Sequence, residues 1–171
     1  MLDLKSYIRS IPDFPKKGIL FRDITTLLKD KDVFEMAIEL LAEKFVGKHI
    51  DTVVAVEARG FILGGALAYK LGAGFVPLRK KGKLPAETYS VTYGLEYGKD
   101  ALSIHKDALN KGARVLIVDD LLATGGTVKA TAKLVEKLKA KIIGIIFLIE
   151  LTDLKGKEKL KGYPVYSLIK Y

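Results

Sequence analysis

The stretch from Val115 to Thr127 reads VLIVDDLLATGGT: four apolar residues, two adjacent acids, a short bridge, and Thr-Gly-Gly-Thr opening a helical pattern. The last part is built like an anion cradle. Gly125 and Gly126 let the backbone approach a ligand closely, the N–H groups of the helix start point at it, and Thr124 and Thr127 add hydroxyl donors. A helix dipole contributes only about 0.3–1 kcal/mol at an exposed site, so the converging N–H and O–H donors must do most of the holding. A terminal phosphate fits there. The acids at Asp119 and Asp120 would repel that anion, but they accept hydrogen bonds from a neutral diol, as an acid does for ribose in dinucleotide-binding folds. Diol plus phosphate describes a ribose 5-phosphate. Two adjacent aspartates alone would read as solvated caps of a strand end; the whole string turns the reading toward a ligand.

Two other segments carry candidate chemistry. Arg59, in Ala58-Arg59-Gly60, follows an apolar run, where its guanidinium fork and nearby amides could hold phosphate oxygens; Gly60 beside it suggests close backbone approach to a ligand. The alternative is a surface arginine capping a turn. Arg79, Lys80, Lys81 and Lys83 in RKKGKLPAE read by composition as a solvated basic loop. There is no GxxxxGK[ST] and no GxGxxG after a strand, which excludes the two common nucleotide loops. His49 and His105 match no metal or triad spacing, and the chain has no cysteine.

The elements needed to position these residues follow from periodicity. Asp3 to Ser10 reads as a short helix broken by Pro12, Pro15 and Gly18. From Asp32, a plausible N-cap, apolar residues recur at helical spacing as far as Gly47. Thr52 to Val56 is a β-branched strand, Gly60 to Leu71 a helix rich in small residues, and Phe75 to Leu78 a second strand. A loop from Arg79 to Glu87 leads to a hairpin centred near Gly98. Arg114 to Val118, Gly126 to Lys139 and Lys141 to Ile149 then resume the strand-helix-strand alternation. Such alternation predicts an open, mainly parallel α/β sheet flanked by helices, with ligands beyond the carboxyl ends of the strands. The chain, 171 residues with 49% hydrophobic and 29% charged, reads as one globular unit. No apolar run is long enough for a membrane span, and the N-terminus lacks a secretory pattern, so a cytoplasmic address is expected. The net charge of +9 biases partners toward anions.

These segments together resemble the phosphoribosyl pyrophosphate (PRPP) signature and its accompanying motifs in type I phosphoribosyltransferases, in the form found in the adenine-using members. FRDIT at Phe21 to Thr25, EARGF at Glu57 to Phe61, RKKGKLP at Arg79 to Pro85, LEYG at Leu95 to Gly98 and ELTDLKG at Glu150 to Gly156 follow in family order. The resemblance implies the type I phosphoribosyltransferase fold in a single domain, 1–171, with a small N-terminal hood at about 1–30 and a mobile catalytic loop. It implies a purine-salvage reaction in which adenine and PRPP give AMP and pyrophosphate, with Mg2+ held mainly by PRPP oxygens and water, in a homodimer.

By the same resemblance, Ala123, Thr124, Gly125, Gly126 and Thr127 hold the 5-phosphate, and Asp119 and Asp120 hold the ribose hydroxyls. Ala58, Arg59, Arg79, Lys80 and Lys83 hold pyrophosphate, Arg59 acting on it as it leaves; Lys81 has no role. The closed loop would shield an oxocarbenium-like ribose C1 from water. Glu96 is the acid/base residue near the purine, and Tyr97 lines the ribose pocket. Leu20, Phe21, Arg22 and Leu151 hold adenine, through aromatic stacking, backbone groups and apolar cover. The alternatives are another purine base or a PRPP-sensing regulator. A nucleic-acid-binding module is a third, prompted by the charge, but no helix-turn-helix, zinc-ligand or RNP pattern supports it, and the lysines are dispersed.

Overall fold

The computed structural model describes residues 3–95 and 98–171, which divide into two compact units, residues up to Leu40 and Leu41–Tyr171. In the first unit a single 3-10 turn, Leu4–Tyr7, is followed by strand β1 (Arg9–Pro12), which pairs antiparallel with β2 (Leu20–Asp23). The helix expected over Asp3 to Ser10 therefore ends after its first turn. Ile8 is already extended, and Arg9 pairs with Asp23 both in strand register and through its guanidinium. The long-range ladder and ion pair win over local helical spacing, which spans too few residues to be stable alone. After the short α1 (Thr25–Leu28) comes α2 (Lys31–Glu43), capped two residues earlier than the sequence reading. Its cap is Asp30, whose Oδ1 accepts the Asp32 and Val33 amides at 3.2 Å; Asp32 itself lies in the first turn, where a carboxylate complements the helix dipole.

The second unit is built on a seven-stranded sheet. Its strands are β3 (Thr52–Val56), β4 (Gly74–Lys80), β5 (Thr88–Leu95), β6 (Gly98–His105), β7 (Arg114–Leu122), β8 (Lys141–Glu150) and β9 (Val165–Lys170). The order is β5-β6-β4-β3-β7-β8-β9, parallel from β4 to β9, with β5 and β6 as an antiparallel extension at one edge. β7 and β8 are buried almost throughout, as strands covered on both faces must be. Alternate residues of β3 serve opposite faces. Val54 and Val56 join Val128, Ala132 and Val135 of α4 (Gly126–Lys137), whereas Val53 and Ala55 meet α3 (Arg59–Leu71). The small residues of α3 have a packing purpose: a Cβ at Gly64 would stand 2.6 Å from that of Ala55.

Two strands run further than periodicity suggested. β4 continues through Arg79 and Lys80 because β6 pairs with it there, Arg79 opposite Ser103 and Lys80 opposite Leu102. The irregular loop begins only after them. β7 continues to Leu122, carried by its ladder with β8, so Asp119 and Asp120 are strand residues. Neither extension is apolar enough to be read from sequence alone; in both, a neighbouring strand supplies the partners.

Candidate active site

β3 sends the chain to β4 on one side, whereas β7 begins the run to β8 and β9 on the other. The sheet therefore changes winding direction between β3 and β7, and the carboxyl ends of strands at such a switch point diverge into a crevice. A cleft of about 420 Å³ opens there, lined from β3 and α3 by Glu57, Ala58 and Arg59 and from β7 and its following loop by Asp119 to Val128; Lys80, Tyr93, Asp100 and Leu102 complete the lining.

The two acids occupy different environments. Asp119 is 9% exposed and Asp120 5%. Burial, reinforced by the negative charge of Asp120, pushes the Asp119 carboxyl well above the usual range, although its Oδ1 accepts the Asp120 amide at 2.9 Å. Arg59 Nε lies 2.8 Å from Asp120 Oδ2, yet at an angle too poor for a hydrogen bond, and that oxygen keeps acceptor capacity. Two side-by-side carboxyl groups, one of them paired to a cation, offer their oxygens as acceptors to the hydroxyls of a vicinal diol. At Gly60 a Cβ would meet Asp119 Oδ1 at 3.0 Å, so the glycine makes room for the acid.

The loop from Ala123 to Thr127 begins as β7 ends. Gly125 has φ 79°, a left-handed conformation that turns the chain into α4 and exposes the first amides of that helix to the cleft. Its support comes from a distant segment. A Cβ at Gly125 would stand 2.5 Å from the Gly156 carbonyl oxygen, and one at Gly156 would overlap the Ala123 carbonyl, so two backbones lie against each other without side chains between them. Gly156 opens the 3-10 turn Gly156–Leu160 and belongs to the ELTDLKG motif, whose role could not be read from the residues alone.

The remaining cations sit at the end of β4. Lys80 lines the cleft and pairs with Asp100 of β6, Nζ to Oδ2 at 3.1 Å; that hydrogen bond raises the lysine, while for Asp100 the Ala101 amide, ahead of Lys80, lowers the carboxyl. Arg79 does not line the cleft. It is held by Glu57, which does, and donates to the Lys83 carbonyl at 3.3 Å. Lys83 contributes that carbonyl, with its side chain exposed. Leu151 is half-buried, its amide bonded to the Leu122 carbonyl. In the first unit Leu20 is exposed, Phe21 stacks edge-on against Phe14, and Arg22 bonds Ser10. Glu96 and Tyr97 lie outside the described residues. His105 accepts the Ala86 amide at 3.3 Å, tying the end of the loop after β4 to β6.

Sequence reasoning passed over Tyr93 and Asp100, both in the cleft lining. Asp100 looks like any charged strand residue until β6 is placed beside β4, and no local pattern reports that pairing.

A family model described as phosphoribosyl transferase domain matches residues 24–170. An adenine phosphoribosyltransferase of Clostridium kluyveri is 60% identical over 170 residues, 99% of each chain. The crystal structure of adenine phosphoribosyltransferase from Thermoanaerobacter pseudethanolicus superposes with a TM-score of 0.96 at 61% identity, covering 98% of each chain. That of the Saccharomyces cerevisiae enzyme, complexed with an imino-altritol bisphosphate and adenine, does so at 0.92 and 44%, covering 96% of each. A sheet that switches direction at a cleft with paired acids and a glycine-supported anion loop has its counterpart in sequence kinship over nearly the full length, and the chain belongs to the phosphoribosyltransferase family, in its adenine phosphoribosyltransferase branch.

Proposed function

We propose that this protein is a purine-salvage enzyme that transfers the 5-phosphoribosyl group of PRPP to N9 of adenine, giving AMP and pyrophosphate. The observation that carries the reading is the single cleft in which Asp119 and Asp120 adjoin the loop Ala123–Thr127, with Arg59 and Lys80 across it. Its three chemistries match the three parts of PRPP. The loop's amides and the Thr124 and Thr127 hydroxyls hold the 5-phosphate. The acids bind the 2- and 3-hydroxyls. Ala58, Arg59, Arg79, Lys80 and Lys83 hold the pyrophosphate, whose bond to C1 breaks with the electron pair leaving on oxygen. Adenine N9 bonds to C1 and gives up its proton, which Glu96 handles; Tyr97 lines the ribose pocket. Leu20, Phe21, Arg22 and Leu151 hold the base. The roles of Arg79, Lys83, Glu96, Tyr97 and the four base-site residues rest on family resemblance, and the yeast relative complexed with adenine supports adenine as the base here.

The cleft suits a magnesium ion carried by the substrate. Among the described residues no group of three or more His, Cys, Asp or Glu side chains converges to hold a metal, while the buried Asp120 Oδ2 has no hydrogen-bond partner. PRPP oxygens and water would supply most of the ion's ligands, as hydrated Mg2+ prefers, with Asp120 Oδ2 a protein oxygen that keeps acceptor capacity beside them. When bound, the ion neutralises charge on the departing diphosphate.

A homodimer belongs to this reading, supported by apolar side chains on one face of α3 and β4: Ile62 is 46% exposed, Tyr69 91% and Phe75 38%. No helix among the described residues is long and apolar enough to cross a membrane. We assign the enzyme to the cytoplasm, where its charged phosphosugar substrate is confined. The test is a panel of adenine, hypoxanthine, guanine and xanthine with PRPP and Mg2+, followed by pyrophosphate release. Adenine is expected to react about 100-fold faster or more, because a base edge that leaves donors unpaired is strongly rejected. Preference for another base, or PRPP binding without pyrophosphate release, overturns the reading.

A further inference from the structure

Glu57 opens the EARGF motif, lines the cleft, and has no part in the chemistry so far. Its surroundings are specific. β3 ends at Val56 and pairs with β4 as far as Leu78, whose carbonyl accepts the Glu57 amide at 3.1 Å. β4 runs on for two more residues with β6 on one side only. The Lys80 amide, which a longer β3 would have received, is taken instead by Glu57 Oε1 at 2.7 Å. The other oxygen, Oε2, receives the Arg79 guanidinium twice, from Nε at 3.3 Å and Nη2 at 3.2 Å. Burial opposes charge on this carboxyl, but the Lys80 amide and Arg79 outweigh it and hold the group below its ordinary range.

We propose that Glu57 is a positioning residue for the pyrophosphate site: its carboxylate extends β3 by one side chain and fixes both the backbone and the leading cation of β4 at the root of the basic loop. This rests on the reading of Arg79 and Lys80 as pyrophosphate ligands. Three bonds from two adjacent residues, shared between the two carboxylate oxygens, set direction as well as distance, which a single ion pair to a flexible side chain does not. The strand end, and with it the Lys80 side chain facing the cleft, is thereby aimed before substrate arrives, so less ordering is required on binding.

The experiment compares dissociation constants of PRPP with Mg2+ and of AMP, which has the ribose 5-phosphate but no pyrophosphate, by titration calorimetry. In Glu57→Gln, which loses the ionic hold on Arg79, PRPP is expected to bind about tenfold more weakly and AMP within about twofold of the parent. Glu57→Asp keeps the charge but is one methylene too short to span both donors; it gives the same split in smaller measure and serves if the glutamine variant does not fold. The double variant Glu57→Gln with Arg79→Gln should bind PRPP no worse than Arg79→Gln alone, since one acts through the other. Equal weakening of PRPP and AMP makes Glu57 a structural residue only, and additive losses make it independent of Arg79; either overturns the proposal. If Arg79→Gln and Lys80→Gln leave PRPP binding unchanged, the pyrophosphate assignment falls, and the role of Glu57 with it. If they weaken PRPP and Glu57→Gln does not, the role of Glu57 alone falls.

Discussion

Single side chains divide the work of the cleft by their environments. Burial and the neighbouring Asp120 charge raise the Asp119 carboxyl, whereas Asp120 lies beside the Arg59 guanidinium, Oδ2 to Nε at 2.8 Å. Asp120→Asn removes a charge paired with Arg59 and should therefore weaken PRPP binding more than Asp119→Asn, by about tenfold in the Michaelis constant for PRPP. Equal losses in steady-state assays would remove the asymmetry. Glu96→Gln is the opposite kind of change: turnover should fall about 100-fold with the PRPP constant nearly unmoved, as for a group acting on the proton alone. In the first unit, Asp23 is lowered to about 2 by the Thr25 hydroxyl and amide and by Arg9. Its folded value lies below the ordinary 3.8, so its contribution is present above that pH and lost as pH falls toward about 2. Asp23→Asn is expected to remove about 1–2 kcal/mol at neutral pH and to flatten the acid limb of thermal melts, the exposed Arg9 partner keeping the figure modest. Parallel melting curves for the two proteins would refute it.

At the scale of elements, the anion loop is shaped by a segment far along the chain. Gly156, at the start of the last 3-10 turn, lets that turn press its backbone on Ala123 and Gly125. Even one methyl group must displace backbone, and overpacking of this kind costs roughly 1–3 kcal/mol. Gly156→Ala should lower the melting temperature and weaken AMP and PRPP alike, since both present the 5-phosphate to the loop. AMP affinity unchanged in fluorescence titration would mean that the loop holds its shape without this contact. The contrast with Glu57 is instructive. One supports the end of β4 and should affect only ligands with a pyrophosphate; the other supports the end of β7 and should affect every ligand with a 5-phosphate.

For the molecule as a whole, the exposed apolar side chains of α3 and β4 bear on assembly. Ile62 and Tyr69, a helical i, i+7 pair on α3, stand exposed near Phe75, which packs edge-on to Phe61 at 5.6 Å. Aromatic side chains in such a cluster are the usual anchors of an interface core. Tyr69→Glu places a charge there and, with the proposed homodimer built on this face, should give a monomer in sedimentation velocity runs at micromolar concentration where the parent sediments as a dimer. A dimer that survives this change, together with Ile62→Glu, uses another face. The same helix presents Arg59 at its first turn, so loss of the dimer is expected to lower PRPP affinity as well.

The geometry of the loop from Ala123 to Thr127 was legible in the residues because it is local: the left-handed Gly125, the start of α4 and the flanking hydroxyls lie within a few positions of one another. The strand-helix alternation was legible for the same reason, since period and side-chain type report burial directly. What tertiary structure decided was everything set by a neighbour distant in sequence. β6 carried β4 out to Lys80 and placed Asp100 against it, β2 turned Arg9 from helix to strand, and Gly156 met the phosphate loop. Glu57 is the clearest case. A glutamate after a strand is unremarkable in one dimension; only the sheet brings it beside the two residues whose donors it takes, because strand pairing is long-range and leaves no periodic trace in either partner.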